Sequence, residues 1–277
     1  MTYSTIKLAG WKIKLADDFP SAFESVVSSS AKTSNGQRSS FDKLASSKFA
    51  IVSKFSVLFR AKVYNLVLKQ YLNRGLLDIL KGLICFTRAQ KAFDAGQMLK
   101  QNGFLVPPAV ACGRKFFITL EVQNSTPLSQ LLSELSGSEK QSLIEQFGQT
   151  IGLMHNKGIF HGDLRLGNVL VKSAHCHFER SEAQSRNLFN KKDSKDKYDF
   201  IFLDNERTKK FDNLSLRLRI KNLVQINMFR QNITDEDRTC FLTSYLAQQQ
   251  IPINKDKLAK KIESRTAKRL AAKGIMN

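Results

Sequence analysis

Residues 161–168 read HGDLRLGN, which sets His161, Asp163, Arg165 and Asn168 in the pattern H-x-D-x-x-x-x-N. Phosphoryl transfer asks little more of a protein than these residue types. It needs a carboxylate to orient an attacking hydroxyl, oxygen ligands for a divalent cation, and a cation beside the phosphates. Asp163 is the carboxylate that would accept or orient the hydroxyl proton. Asn168, five residues on, would reach back to a metal ion. His161 would brace the loop, and Arg165 stands where a cation can lie near a transferred phosphate. Gly162 occupies the place of the arginine that couples many protein kinases to activation-loop phosphorylation, which favours a small-molecule or lipid-linked acceptor. Asp204, in LDNER, would be the second metal ligand, the role of the Asp in DFG, although the glycine of that motif is missing here.

Lys69, late in an apolar stretch (VLKQY), is the cation offered for the α- and β-phosphates of ATP, with Lys62 as a nearby competitor. Such a lysine needs a carboxylate on a helix. The following helix carries one acid, Asp94, with Gln97 as the other inward candidate. No GxxxxGK[ST] and no GxGxxG is present, so a nucleotide lid would come from the loop around residues 60–63.

These residues need elements to hold them. β-branched and aromatic residues with partial alternation predict strands at about 50–60 and 63–71. A polar helix follows over 87–101, stopped by Gly103 and the Pro107-Pro108 pair, then a strand at 116–122. Residues 138–157 predict an amphipathic helix with Leu143, Phe147, Ile151 and Met154 along one face and a capping box at Ser138 and Gln141. Thus Asp163 follows a helix and precedes a strand, 169–172, while Asp204 ends a second strand, 199–203. The stretch 173–198 between those strands far exceeds the about two to five residues of a hairpin loop, so it reads as an insertion. It also resembles translated intergenic repeats of some bacterial genes. His175, Cys176 and His177 lie inside it and are not read as a metal site. Helices are expected over 214–232 and 234–250, and a basic surface helix over 255–274.

The chain has 277 residues and is 42% hydrophobic, enough for one sizeable core or two small lobes. No run is long and apolar enough to span a bilayer, and the N-terminal stretch lacks the apolar core of a secretory signal, which predicts a cytoplasmic protein. Residues 26–48, rich in Ser, Lys and Asn, read as a linker. The four cysteines, Cys85, Cys112, Cys176 and Cys240, form no CxxC pair, which speaks against a zinc cage or a disulfide scaffold. The net charge of +20 would draw the protein toward polyanions: nucleic acid, an anionic membrane or a phosphorylated substrate.

Taken together, VLKQYLNRG, RAQKAFDAGQMLKQNGFLVPPAV, HGDLRLGNVLV, FLDNER and NITDEDRTCFLTSYL make residues 49–273 resemble the bacterial lipopolysaccharide kinases, the Kdo/heptose kinases of the protein-kinase-like superfamily. The resemblance implies an α+β, protein-kinase-like bilobal fold with a small N-terminal antiparallel-sheet lobe and a larger, mostly helical C-terminal lobe. The expected layout is an N-terminal extension (1–48), an N-lobe (49–122) and a C-lobe (123–277). It implies transfer of the ATP γ-phosphate, with Mg²⁺, to a sugar hydroxyl of the lipid A-linked core oligosaccharide. The work would be done by a monomer, peripheral on the inner face of the bacterial inner membrane. The charge agrees, since basic residues near an anionic surface contribute about 1 kcal/mol each. The apolar stretch 76–86 reads first as core and second as an interfacial segment.

Two other classes compete. One is a small-molecule or protein kinase of the same fold, such as one resembling aminoglycoside phosphotransferases. The other is an inactive kinase-like protein that uses its basic surface to bind RNA or anionic membrane. No RNA-reading motif is visible, so nucleic acid is not the expected partner.

Overall fold

The computed structural model describes residues 2–8, 11–17, 42–47, 49–59, 62–72, 87–173, 198–250 and 252–274. The chain divides into two compact units, Met1–Gln97 with Pro107–Gln123, and Met98–Val106 with Asn124–Asn277. Several expectations fall outside the described residues: the Ser-rich stretch up to 41, the lid residues Arg60 and Ala61, the apolar stretch 76–86, and 174–197 with His175, Cys176 and His177.

The first unit is built on a seven-stranded sheet. Its strands are β1 (Tyr3–Leu8), β2 (Trp11–Ala16), β3 (Asp42–Ser47), β4 (Ala50–Phe59), β5 (Lys62–Tyr71), β6 (Ala109–Cys112) and β7 (Phe116–Leu120). They lie in the order β1-β2-β6-β7-β5-β4-β3, each neighbouring pair antiparallel. β4 and β5 form the expected hairpin, from Ala50 opposite Tyr71 to Phe59 opposite Lys62. Ser53 and Phe55 on β4 and Leu66 and Leu68 on β5 are buried, the period of two that a one-sided core demands. Phe55, Leu66 and Leu68 join Ile13, Leu15, Val110 and Ile118 in one apolar cluster. The strands ahead of Phe49 were not expected. Apolar residues alternate with Lys in β2 (WKIKLA), but in β1 (YSTIKL) only from Ile6 to Leu8, signals too short to stand alone.

α1 (Arg88–Gln101) packs Ala89 and Phe93 against Tyr71, Ala109 and Cys112. It starts at Thr87 for a local reason. The Gln90 amide N–H donates to the Thr87 hydroxyl at 3.3 Å, and the Thr87 N–H donates to the Gln90 side chain at 3.0 Å. Two otherwise orphaned donors are thereby satisfied.

The second unit carries α2 (Leu128–Glu134), α3 (Gly137–Asn156), α4 (Leu216–Asn227), α5 (Asp235–Ala247) and α6 (Lys255–Ala271). Between them run β8 (Thr126–Pro127), β9 (Ile159–Phe160), β10 (Val169–Ser173), β11 (Tyr198–Phe202) and β12 (Lys209–Lys210). β10 lies between β11 and β8, and β9 pairs with β12, all antiparallel. The forecast stripe Leu143, Phe147, Ile151 and Met154 is buried and meets Leu164, Phe200, Phe202 and Tyr245 in the core. Each such side chain contributes about 1.5–3 kcal/mol of burial. The forecast capping box at Ser138 and Gln141 does not form. The helix begins at Gly137 with Ser136 as its N-cap, so Ser138 already has helical backbone. The box instead occurs on α5, where Thr234 and Asp237 cap each other and three acids occupy the first turn. Among the described residues, no helix is long and apolar enough to cross a membrane.

Candidate active site

β9 delivers the chain into His161, and β10 takes it away after Asn168. The loop between them is tied down from inside. The Asp163 N–H donates to His161 Nδ1 at 3.3 Å, and His161 Nε2 meets the Leu203 carbonyl at 3.1 Å. A carbonyl only accepts, so Nε2 carries the proton and Nδ1 accepts. Burial pushes the His161 imidazole below its usual range, which favours this neutral form. His161 thus joins the loop to the segment that carries Asp204.

Asp163 holds Arg165 by two parallel bonds, Nε to Oδ1 at 2.9 Å and Nη2 to Oδ2 at 2.6 Å. Such bidentate pairing fixes the carboxylate plane. A carboxylate has about four lone-pair sites, so two remain for a substrate hydroxyl. Hydrogen bonding to Asp163 holds the Arg165 guanidinium above its usual range. The Asn168 side chain donates Nδ2–H to the Asp163 carbonyl at 2.9 Å, which turns its amide oxygen the other way. Its own carbonyl accepts the Leu203 N–H at 2.8 Å, stitching the loop to the residue before Asp204.

Asp204 adopts left-handed backbone, φ 59° and ψ 44°, at the head of a 3-10 turn, Asn205–Arg207. Asp tolerates that region better than most residues, and such a conformation often marks a functional turn. Its negative charge acts on both His161 and Arg165. Asp163, Arg165, Asn168, Asp204 and His161 therefore gather around one loop.

The Asp204 carboxylate and the Asn168 amide oxygen are hard donors of the kind Mg²⁺ takes. Among the described residues, no group of three His, Cys, Asp or Glu side chains could hold a metal ion by itself. Mg²⁺ is commonly bound by one or two protein oxygens, its other positions filled by substrate phosphates and water, so the donor set fits.

In the first unit, Lys69 sits on β5 opposite Val52 of β4 and Phe117 of β7, its Nζ 5.3 Å from the Tyr71 ring centre. Asp94, the carboxylate offered to it, makes its ion pair with Lys14 of β2 at 3.4 Å, a residue the sequence reading did not weigh. Gln97, the alternative, donates to the Tyr3 hydroxyl at 3.2 Å.

Sequence reasoning missed the deeper clamp on the loop. Asn222 and Gln225, one turn apart on α4, are both buried. The Asn222 amide oxygen accepts the His161 N–H at 3.2 Å, and its NH₂ donates to the His161 carbonyl and to Gln225. Gln225 donates to the Gly162 carbonyl and accepts the Leu164 N–H, each at 3.2 Å. His155, at the end of α3, meets Asn222 Oδ1 through Nε2 at 3.2 Å and the Tyr245 hydroxyl through Nδ1 at 3.0 Å. Burial drives the His155 pKa down to about 3, so it too is neutral. The signal was two amides at i and i+3 among the buried residues of a helix that also buries Arg219, Ile220, Leu223 and Val224.

The fold is similar to that in the structure "WaaP in complex with acyl carrier protein", with a TM-score of 0.61, 16% identity and coverage of 92% of this chain and 98% of that one. It is also similar to the Rio2 kinase of Chaetomium thermophilum in its ADP/Mg²⁺-phosphoaspartate complex, with a TM-score of 0.48, 17% identity and coverage of 99% and 77%. A stretch of 80 residues is 30% identical to the KEOPS complex subunit Bud32 of Pyrococcus abyssi (strain GE5 / Orsay), spanning 28% of this chain and 36% of that protein. The fold is the α+β, protein-kinase-like bilobal class. The model of the Lipopolysaccharide kinase (Kdo/WaaP) family matches residues 53–245, a span that holds Lys69, the whole 161–168 loop and Asp204, and the chain belongs to that family of phosphotransferases.

Proposed function

We propose that this chain phosphorylates a sugar hydroxyl, on Kdo or heptose, of the lipid A-linked lipopolysaccharide inner core, with ATP as donor. The observation that carries the reading is the gathering of Asp163, Arg165, Asn168 and Asp204 around a loop braced by a neutral His161. Asp163 orients the acceptor hydroxyl and takes its proton as the new oxygen–phosphorus bond forms and ADP departs. Arg165, held beside Asp163, can share its charge with the transferred phosphoryl group. Asn168 and Asp204 would hold Mg²⁺, which when bound neutralises charge on the triphosphate. Lys69 is assigned to the α- and β-phosphates, with Asp94 or Gln97 on the helix behind it. The enzyme would act as a monomer, peripheral on the anionic inner face of the inner membrane. The acyl carrier protein bound in the matched solved structure is the first protein partner to try by co-purification.

The test is phosphate transfer from labelled ATP to purified core oligosaccharide. Asp163→Asn should lower kcat by about 10²–10⁴-fold with an unchanged melting curve. Equal transfer by the variant would remove Asp163 from the chemistry. Transfer only to peptides or small alcohols would favour a kinase of another specificity, and nucleotide binding without turnover an inactive binding protein.

A further inference from the structure

The second unit carries a surface that the chemistry above does not use. Phe211 and Leu216 are 37% and 46% exposed, two large apolar side chains only five positions apart. Around them lie Lys209, Lys210, Arg217 and Lys221, all exposed, and Asp212 is the only acid from 209 to 221. β12 and α4 meet at Phe160. Lys209 stands opposite Phe160 in the β9–β12 ladder, and Lys221 of α4 lies 5.3 Å from the Phe160 ring centre. Lys157 and Lys210 converge on Asn102, donating to its carbonyl at 2.8 Å and its side-chain oxygen at 2.9 Å. Burial and the neighbouring Lys210 charge push the Lys157 ammonium below its usual range. No carboxylate among the described residues pairs with Lys157, Lys209, Lys210, Arg217 or Lys221. The Phe211 backbone is held in place. Its N–H donates to the Gly158 carbonyl at 2.9 Å, and its own carbonyl lies where a Cβ on Gly158 (φ +74°) would stand.

We infer that this face, β12 with the first two turns of α4, docks on an anionic lipid bilayer. The inference rests on the lipid-linked acceptor proposed above. Cations without acidic partners attract an anionic surface, and apolar side chains among them can enter the boundary between headgroups and acyl chains. α6 is more basic, but none of its large apolar side chains is exposed, so it is a solvated face held by its buried stripe. Nucleic acid fits less well, because Leu216 offers no ring on which a base could stack. β9 leads directly into His161, so a bilayer held at β12 lies beside the loop that acts on a lipid-anchored sugar.

The experiment is co-sedimentation of the full chain with vesicles of phosphatidylcholine alone or phosphatidylcholine mixed with phosphatidylglycerol. Two patch variants are compared, Lys209→Glu/Lys210→Glu and Phe211→Ser/Leu216→Ser, with Lys260→Glu/Lys261→Glu on α6 as a control of equal charge change. We expect binding to the anionic vesicles alone, weakened about tenfold or more by the charge variant. The apolar variant should weaken it several-fold and the α6 variant by less than about twofold. Circular dichroism and melting curves show that each variant is folded. Equal losses in the charge variant and the control would mean diffuse attraction and overturn the assignment. So would binding to neutral vesicles alone, no vesicle binding, or patch variants that lose only single-stranded RNA binding. Transfer by the unmodified chain to deacylated, water-soluble core oligosaccharide tests the catalytic reading separately. Vesicle docking without such transfer would sink the acceptor and leave the surface standing.

Discussion

At the scale of single residues, Gly162 shows how tightly the loop is packed. A Cβ there would stand 2.1 Å from the Cβ of Arg207 and 2.6 Å from its carbonyl oxygen. No side chain fits without moving backbone, which accounts structurally for the absence of the arginine many protein kinases carry here. Gly162→Ala should cost about 1–3 kcal/mol as overpacking. That is a drop of several degrees in Tm, read by thermal melting at neutral pH; an unchanged Tm would mean that Arg207 yields freely. His155 supplies a pH dependence. Its pKa falls from the usual 6.5 to about 3 on folding, so below pH 6.5 the unfolded chain binds the proton that the folded chain refuses. The stability from its neutral form is complete above pH 6.5 and is lost as pH falls toward about 3. The slope is at most ~1.4 kcal/mol per pH unit. Urea titrations between pH 7 and 4 should show this decline, and His155→Gln should flatten it. An equally steep decline in the variant would place the titrating group elsewhere, with His161 the next candidate, since burial depresses its pKa as well.

At the scale of elements, α4 clamps the loop from below while β10 and β11 frame it. Those two strands pair from Val169 opposite Phe202 to Ser173 opposite Tyr198, a complete ladder that stops where a tight turn could close it. Replacing residues 174–197 with Asn-Gly should therefore keep the register, because a type I′ turn matches the twist of such a pair. Loop length itself costs little, about 0.6 kcal/mol per doubling. The shortened chain should melt within a few degrees of the parent and retain phosphotransfer. Insolubility, or a much lower Tm, would show that the segment contributes to the fold.

At the scale of the molecule, the charge of +20 is less informative than its distribution. The basic residues of α6 stand over a buried stripe of Leu258, Ile262, Thr266 and Leu270, whereas those near β12 surround exposed apolar side chains. Attraction to an anionic surface should fade with salt, since the Debye length shrinks from about 10 Å at 0.1 M to about 3 Å at 1 M. Raising sodium chloride over that range should weaken vesicle binding about tenfold or more. Binding indifferent to salt would mean that Phe211 and Leu216 act alone.

The helix–loop–strand setting of residues 161–168, the strand that ends before Asp204, the β4–β5 hairpin and the main helices were all legible along the chain. Each is written in local spacing: H-x-D-x-x-x-x-N, alternation over ten-residue strands, and a 3.6-residue stripe through Leu143, Phe147, Ile151 and Met154. β1 and β2 were not, because strands this short gain identity only from the neighbours that pair with them. Nor were the partners of distant polar groups: Asn222 and Gln225 beneath the loop, Lys14 beside Asp94, Lys157 and Lys210 on Asn102. Hydrogen bonds and ion pairs depend on distance in space, and positions this far apart along the chain carry no common period. The sequence alone determined which side chains could do the chemistry. Only the tertiary structure decided which of them meet.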